Sequence, residues 1–191
     1  THLQQLEYAC NRYEVEGTVY QRSNLKKPTP LHAFAALGQL EKIKVLIKEK
    51  VDVNALWIDQ GKVKTALTVA LQSGHVNCAK LLLDHGAKLS VKIEKYLRIT
   101  TSQTFRAIGQ CGDESILKKA IKRLSWNKKN KRSYYVEALY GSFEKNHFAI
   151  VSDIVIRIGR LKKKERKELE RISFVLRNKG NIGREVFQVG F

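Results

Sequence analysis

Apolar residues along this chain of 191 residues recur in short runs at helical intervals, with a glycine before each run. Residues 45–47 (Val-Leu-Ile) form one such run, and residues 81–83 (Leu-Leu-Leu) form another. A shorter helical segment precedes each run and is separated from it by Gly38 or Gly74. Glycine permits the left-handed backbone that reverses a chain between two helices. The pattern therefore predicts two helix-turn-helix units.

The first unit begins with Thr29-Pro30-Leu31-His32, and the second begins 36 residues later with Thr65-Ala66-Leu67-Thr68. Together with the following glycine and apolar run, this motif resembles an ankyrin repeat. The resemblance implies that the threonine and the histidine exchange hydrogen bonds that brace the turn before the first helix. It also implies that successive units stack into a solenoid. Because the usual ankyrin period is about 33 residues, the excess is expected in a connecting hairpin at residues 57–64.

Two departures from the ankyrin pattern affect these expectations. Ala66 and Thr68 replace the proline and the histidine of the motif in the second unit, and Lys50 stands where a glycine is expected in the first unit. Glycine commonly ends a helix because it adopts a left-handed conformation without strain. The sequence therefore predicts that the second helix of the first unit ends loosely.

Helical spacing continues beyond residue 100, although the motif fades. Gly112 lies between two apolar segments, and Asn146-His147 takes the place of Gly74-His75 before a further segment. Apolar residues at helical spacing near both ends predict helices that cap the stack. We predict an all-α, single-domain ankyrin-repeat solenoid of about four helix-turn-helix repeats with helical caps. Its segments are an N-terminal cap at 1–28, repeat 1 at 29–64, repeat 2 at 65–100, degenerate repeat 3 at 101–133, degenerate repeat 4 at 134–161 and a C-terminal cap at 162–191.

The resemblance implies that partners bind at the hairpin tips and along the concave face formed by the first helices. Trp57 and Ile58, in the tip at residues 55–64, form an apolar candidate hot spot. An equally open alternative is that Trp57 folds back and covers the inserted residues. The candidates on the inner face are Ala33, Ala36, Leu37, Gln72 and Ser73. The favoured function is a monomeric adaptor or targeting scaffold that binds a protein partner.

Positive charge is the second prominent feature of the sequence. The net charge is +18, from 36 basic and 18 acidic residues, and residues 96–191 carry 22 of the basic and 9 of the acidic residues. Residues 118–135 could bind nucleic acid or an anionic membrane surface, since basic groups neutralise phosphates and aromatic rings stack on bases. A solvated helix face explains residues 118–123 better, whereas residues 126–132 resemble a hairpin tip for which both interpretations stay open. The candidates for this alternative are Trp126, Lys128, Lys129, Lys131, Arg132 and Tyr134.

No combination of nucleophile, base and oxyanion-stabilising groups stands out, so neither catalysis nor a cofactor is expected. The three cysteines show no metal-ligand spacing. No apolar run approaches the about 18 residues of a membrane-spanning helix, and we expect an intracellular soluble protein, cytoplasmic or nuclear. The lysine-rich, degenerate repeats are also similar to ankyrin-repeat effectors that intracellular bacteria deliver into host cells. A location in a host cell, and a role as the repeat portion of a larger bacterial effector enzyme, are therefore further alternatives.

Overall fold

The computed structural model describes residues 27–92, 98–124 and 131–178, with backbone alone at residues 92, 98 and 173–178. The chain divides into two compact units, Thr1–Thr100 and Thr101–Phe191. The predicted N-terminal cap lies outside the described residues, apart from its last two positions, as do three candidate residues and the end of the predicted C-terminal cap. The three candidates are Trp126, Lys128 and Lys129.

In the first unit, two helix pairs alternate with two short hairpins. Helices α1 (Pro30–Leu37) and α2 (Leu40–Lys48) are followed by strands β1 (Trp57–Asp59) and β2 (Lys62–Lys64), which pair antiparallel. Helices α3 (Ala66–Gln72) and α4 (Val76–Asp84) come next, and strands β3 (Val91–Lys92) and β4 (Arg98–Ile99) form the second antiparallel hairpin. The extra residues predicted at 57–64 lie in the first hairpin.

The threonine motifs brace the starts of α1 and α3 as the resemblance implies. The backbone N–H of Thr29 donates to His32 Nδ1 at 3.3 Å, and Thr29 Oγ1 lies 2.7 Å from the same nitrogen. In the second copy, the Thr65 N–H donates to Thr68 Oγ1 at 2.9 Å, and the Thr68 N–H donates to Thr65 Oγ1 at 3.3 Å. The hydroxyl of Thr68 therefore replaces the imidazole of His32 in the same reciprocal cap.

The end of α2 is not loose, so that prediction is wrong. Lys50 adopts a left-handed backbone with φ of 60°, as Gly86 does at 90° after α4. The Lys50 N–H donates to the Ile47 carbonyl at 3.0 Å, which matches the bond of 3.2 Å from Gly86 to the Leu83 carbonyl. Because this conformation places the Cβ of an L-residue too close to the carbonyl oxygen that follows it, Lys50 makes the regular turn at an energetic cost.

The second unit consists of helices within its described residues. Its elements are α5 (Thr101–Cys111), α6 (Glu114–Arg123), α7 (Lys131–Glu144), a single 3₁₀ turn (Phe148–Ile150), α8 (Val151–Ile158) and α9 (Lys163–Asn178). Within this unit α7 packs against α5, α8 and α9. The fold is the all-α ankyrin type, and the strands are confined to the two hairpins of the first unit within the described residues.

A contact between a glycine and a histidine occurs in both units. A Cβ atom built on Gly38 would lie 2.6 Å from His75 Nδ1, and one built on Gly112 would lie 2.5 Å from His147 Cγ. Asn146, which precedes His147, has φ of 59° and so adopts the backbone that Gly74 has before His75. This recurrence supports the assignment of Asn146-His147 as the counterpart of Gly74-His75.

Helices α5 and α7 approach each other at two glycines. A Cβ atom on Gly109 would lie 1.9 Å from the Ala138 carbonyl oxygen, and a Cβ atom on Gly141 would lie 1.9 Å from the Arg106 carbonyl oxygen. Such distances are far below van der Waals contact, so the two backbones touch where both residues lack side chains. The two glycines thereby allow the close packing of the first helices in the second unit.

Candidate protein-binding surface

The predicted inner-face residues of the first unit differ widely in exposure. Leu37 is 41% exposed at the end of α1, and Gln72 and Ser73 are exposed at the corresponding end of α3, which packs beside α1. Ala36 is half-buried, whereas Ala33 is completely buried. The structure therefore brings Leu37, Gln72 and Ser73 to equivalent ends of neighbouring helices. The prediction that Ala33 contacts a partner is wrong, because its methyl group is inaccessible.

The hairpin formed by β1 and β2 turns Trp57 inward. Its side chain has 0% exposure, its ring centroid lies 5.9 Å from that of His32, and Lys64 Nζ lies 5.4 Å above the ring. Ile58 is half-buried and pairs with Val63 across the hairpin. The prediction of an exposed hot spot is wrong for Trp57, and the alternative that this residue folds back is correct. Sequence alone leaves the choice open because a tryptophan in a hairpin serves equally well as a contact or as a cover.

Next to Trp57, the imidazole of His32 is buried and uncharged. Because the N–H of Thr29 donates to Nδ1, the ring hydrogen is on Nε2. Burial lowers the pKa of His32 from 6.5 to about 4, although hydrogen bonding to the backbone of Lys64 and of Ala55 acts in the opposite direction and raises it. Desolvation of the charged form outweighs these hydrogen-bonding contributions. His32 therefore has a structural role in the first unit.

The described members of the basic candidate set lie in α7. Lys131 and Arg132 belong to the first turn of this helix, so the prediction that they form a hairpin tip is wrong. Arg132 makes a two-point ion pair with Glu165, with Nη1–Oε1 at 2.5 Å and Nη2–Oε2 at 2.9 Å, and it also donates to the Arg160 carbonyl. Since Glu165 already neutralises this guanidinium, Arg132 has little capacity left for a phosphate. Lys131 is exposed.

Tyr134, the aromatic candidate of the same set, is half-buried. Its ring stacks on Phe105, with centroids 5.1 Å apart and planes inclined by 17°. One face of the ring is therefore engaged within the second unit and does not stack on a base.

A cleft of about 680 Å³ lies among α5, α7 and α9 in the second unit. Val136 and Tyr140 are buried in its wall, Glu137 is half-buried, and Lys164 and Lys167 are exposed at its edge. Every residue that lines the cleft belongs to one of these three helices. The cleft is therefore formed by the three helices α5, α7 and α9.

A charged network forms the inner side of the cleft around Arg106. The guanidinium donates to Glu144 Oε1 from Nε at 3.0 Å and from Nη2 at 2.5 Å, and Nη1 lies 3.7 Å from Glu137 Oε2. It also lies over the ring of Tyr140 at 5.6 Å from the centroid, and Gln110 donates to Glu144 Oε2 at 2.7 Å. Burial raises the pKa of Glu137, against the opposing effect of Arg106, and raises the pKa of Tyr140 to about 12. Tyr140 therefore keeps its phenolic proton at neutral pH.

This network was not predicted from the sequence. Counted back from their turn residues, Gln110 before Gly112 corresponds to Ala36 before Gly38, and Glu144 before Asn146 corresponds to Gln72 before Gly74. The repeat alignment therefore contained the signal for two of its members. Arg106 and Glu137 gave no such signal, because an isolated charge on a helix usually indicates a solvated face.

The structure shows no helix within its described ranges that is both long enough and apolar enough to cross a membrane. No curated protein shows significant sequence similarity to the chain. Among solved structures, the complex of the predatory endopeptidase Bd0816 from Bdellovibrio bacteriovorus with the immunity protein Bd3460 contains a chain with a similar fold. The TM-score is 0.56 and the identity is 19%, over 93% of this chain and 95% of that one. The human ASB11 ankyrin repeat domain matches with a TM-score of 0.39 and 20% identity, over 83% of this chain and 86% of that one.

A family model described as "Ankyrin repeats (3 copies)" matches residues 4–93. The match includes both motif-bearing repeats and extends into the segment predicted as an N-terminal cap. Ankyrin repeats are generally protein–protein interaction modules, and the family is typically non-catalytic. Residues 4–93 therefore match the ankyrin-repeat family.

Proposed function

We propose that this protein is a non-catalytic adaptor or targeting scaffold that binds a protein partner along the first helices of its repeats. The observation that carries the proposal is the exposure of Leu37, at 41%, beside the exposed polar residues Gln72 and Ser73. An apolar centre with a polar edge is the usual arrangement of a protein-binding patch. We define Leu37, Gln72 and Ser73 as the α1–α3 patch.

The fold comparison agrees with this proposal. Bd0816 and Bd3460 form a complex of two proteins, and the similar chain comes from that complex. At 19% identity the likeness concerns the fold, so the partner of this protein has to be identified by experiment.

A matched pair of substitutions tests the α1–α3 patch. Leu37 and Val45 are both exposed apolar residues of the first unit, at 41% and 46%, but Val45 belongs to the second helix α2. We expect Leu37→Glu to abolish the capture of specific protein partners in quantitative affinity purification from the source cells. Val45→Glu introduces the same charge at similar exposure and should retain those partners. Circular dichroism checks that both variants keep the helical fold.

The opposite result would refute the proposal. If Leu37→Glu and Val45→Glu recover the same partners in the same amounts, the α1–α3 patch is not the binding surface. If nuclease treatment or added salt removes every captured component from the wild-type protein, a nucleic acid mediates the capture. That outcome would favour the alternative in which residues 118–135 bind nucleic acid. Two of its candidates, Arg132 and Tyr134, already contact Glu165 and Phe105 in the structure.

A further inference from the structure

The charged groups around the cleft of the second unit differ in how completely they are neutralised. Glu144 accepts two hydrogen bonds from Arg106, and Glu165 accepts two from Arg132. Glu168 likewise accepts two hydrogen bonds from Arg171, at 3.0 and 2.7 Å. Each of these carboxylates is therefore held by a guanidinium.

Glu137 is the exception among the acidic residues of the cleft. Its carboxylate makes no hydrogen bond with the described residues, and its nearest cation, Arg106 Nη1, is 3.7 Å away. Its side chain is only 27% exposed, so water compensates it incompletely. When all three groups are ionised, Arg106, Glu137 and Glu144 carry one net negative charge, and Arg106 lies closer to Glu144 than to Glu137.

The edge of the cleft has the opposite character. Lys164 and Lys167 are exposed and lie three residues apart, on one face of α9. Neither makes an ion pair within 4.0 Å among the described residues. The whole chain carries a net charge of +18, which attracts acidic segments over long distances. The cleft thus combines an inner carboxylate that favours a cation with an outer edge that favours anions.

We propose that the cleft receives a single arginine or lysine side chain of the protein partner, and that acidic residues flank this side chain in the partner sequence. The basic head group would pair with Glu137, and the flanking carboxylates would pair with Lys164 and Lys167. This inference rests on the proposed function and specifies the chemistry of the partner. A cleft of about 680 Å³ is within the usual size range of a specific binding pocket.

The same arrangement disfavours a nucleic acid in this cleft. A phosphate that approached Lys164 and Lys167 would also face the carboxylate of Glu137, which Arg106 compensates only from 3.7 Å, and like charges close together repel. A purely acidic peptide would give Glu137 no cation closer than Arg106. Selectivity for a basic residue within an acidic segment therefore follows from the unmatched charges on both sides.

Fluorescence anisotropy with two labelled peptides tests the proposal on the full chain. Both peptides are acidic and differ in one central residue, which is arginine in one and citrulline, its uncharged near-isostere, in the other. We expect the arginine peptide to bind about tenfold more tightly, as is typical of a partly buried charge pair. Glu137→Gln should remove this preference and leave the affinity for the citrulline peptide unchanged.

Two matched controls separate the cleft from general electrostatics. Glu170→Gln makes the same change of charge at an exposed position of α9 outside the cleft, and it should preserve the preference for arginine. The double variant Lys164→Gln/Lys167→Gln should weaken both peptides several-fold. Lys163→Gln/Arg166→Gln, which removes equal charge from the same helix outside the cleft, should have a smaller effect.

Several results would overturn the inference: equal binding of the two peptides, no measurable binding of either, or equal effects of Glu137→Gln and Glu170→Gln. Preferential binding of a single-stranded oligonucleotide that depends on Lys164 and Lys167 would also overturn it. These failures are distinguishable from failure of the proposed function. If partners are lost from Leu37→Glu but kept by Glu137→Gln, the α1–α3 patch remains supported as the binding surface and only the proposed role of the cleft is refuted.

Discussion

Acidification should destabilise the first unit through His32, whose imidazole is buried against Trp57. The pKa of this group is about 4 in the folded protein, compared with 6.5 in an exposed chain. Between these values the unfolded chain binds a proton that the folded protein does not bind. Stability therefore increases with pH across this interval and is lost as the pH falls from about 6.5 to about 4.

The size of the effect follows from the difference between the two pKa values. Each pKa unit corresponds to about 1.4 kcal/mol, so the shift corresponds to about 3 kcal/mol in the free energy of unfolding. Below pH of about 4 both states bind the proton, and the contribution of His32 no longer changes. Folded domains have a stability of about 5–15 kcal/mol, so this loss should be readily measured.

The variant His32→Thr isolates this contribution from the titration of the carboxylates. The second repeat uses threonine at the equivalent position, where Thr68 completes the cap with Thr65, so the substitution keeps the capping chemistry and removes the imidazole. Urea unfolding of both proteins is followed by fluorescence of Trp57, in a background where the other tryptophan, Trp126, is replaced by phenylalanine. The quantity of interest is the stability of the parent minus that of the His32→Thr variant at each pH.

This difference should decrease by about 3 kcal/mol between pH of about 7.5 and about 4. The variant should also be less stable than the parent at neutral pH, because the shorter side chain leaves a cavity beside Trp57. A difference that stays constant with pH would show that His32 titrates normally and is not buried in the way the structure shows. A difference that increases on acidification would show that the folded protein stabilises the imidazolium.

Two further predictions concern the backbone. Lys50→Gly should stabilise the protein by about 0.5–1 kcal/mol in urea unfolding, because glycine adopts the left-handed turn after α2 without strain. An unchanged or lower urea concentration at the midpoint of unfolding would contradict the strain at Lys50. Gly109→Ala and Gly141→Ala should each destabilise the second unit by about 2 kcal/mol or more, because the new methyl group would lie 1.9 Å from a carbonyl oxygen of the facing helix. Since alanine normally stabilises a helix relative to glycine by about 1 kcal/mol, increased stability of either variant would show that the helices are farther apart.

The two helix pairs of the first unit could be predicted from sequence because each depends on local chemistry. A threonine cap, a glycine turn and an apolar run specify α1 to α4 without knowledge of distant contacts. The direction of Trp57 could not be predicted, since it depends on whether the space beside His32 is open, which is a tertiary property. The ion pair of Arg132 could not be predicted for the same reason. The basic run around Arg132 suggested that it is available to a ligand, but Glu165, 33 residues later in the chain, neutralises it.

The cleft was beyond prediction for a related reason. The side chains of Arg106, Glu137 and Lys164 come from three helices, and their spacing in sequence does not indicate that they surround one space. The alignment of turn residues placed Gln110 and Glu144 at partner-facing positions, but it did not indicate that they bind each other. Periodicity specifies which face of a helix is buried, whereas charge pairing between helices depends on their packing.

The contact of His75 with Gly38, and of His147 with Gly112, has a consequence for the exchange of repeats between ankyrin proteins. Each glycine lies in one repeat, and the imidazole that occupies the space above it belongs to the next repeat. A chimera joined between these two positions would combine a glycine and a histidine from different parents. Neighbouring repeats should therefore be transplanted as a pair that keeps both residues.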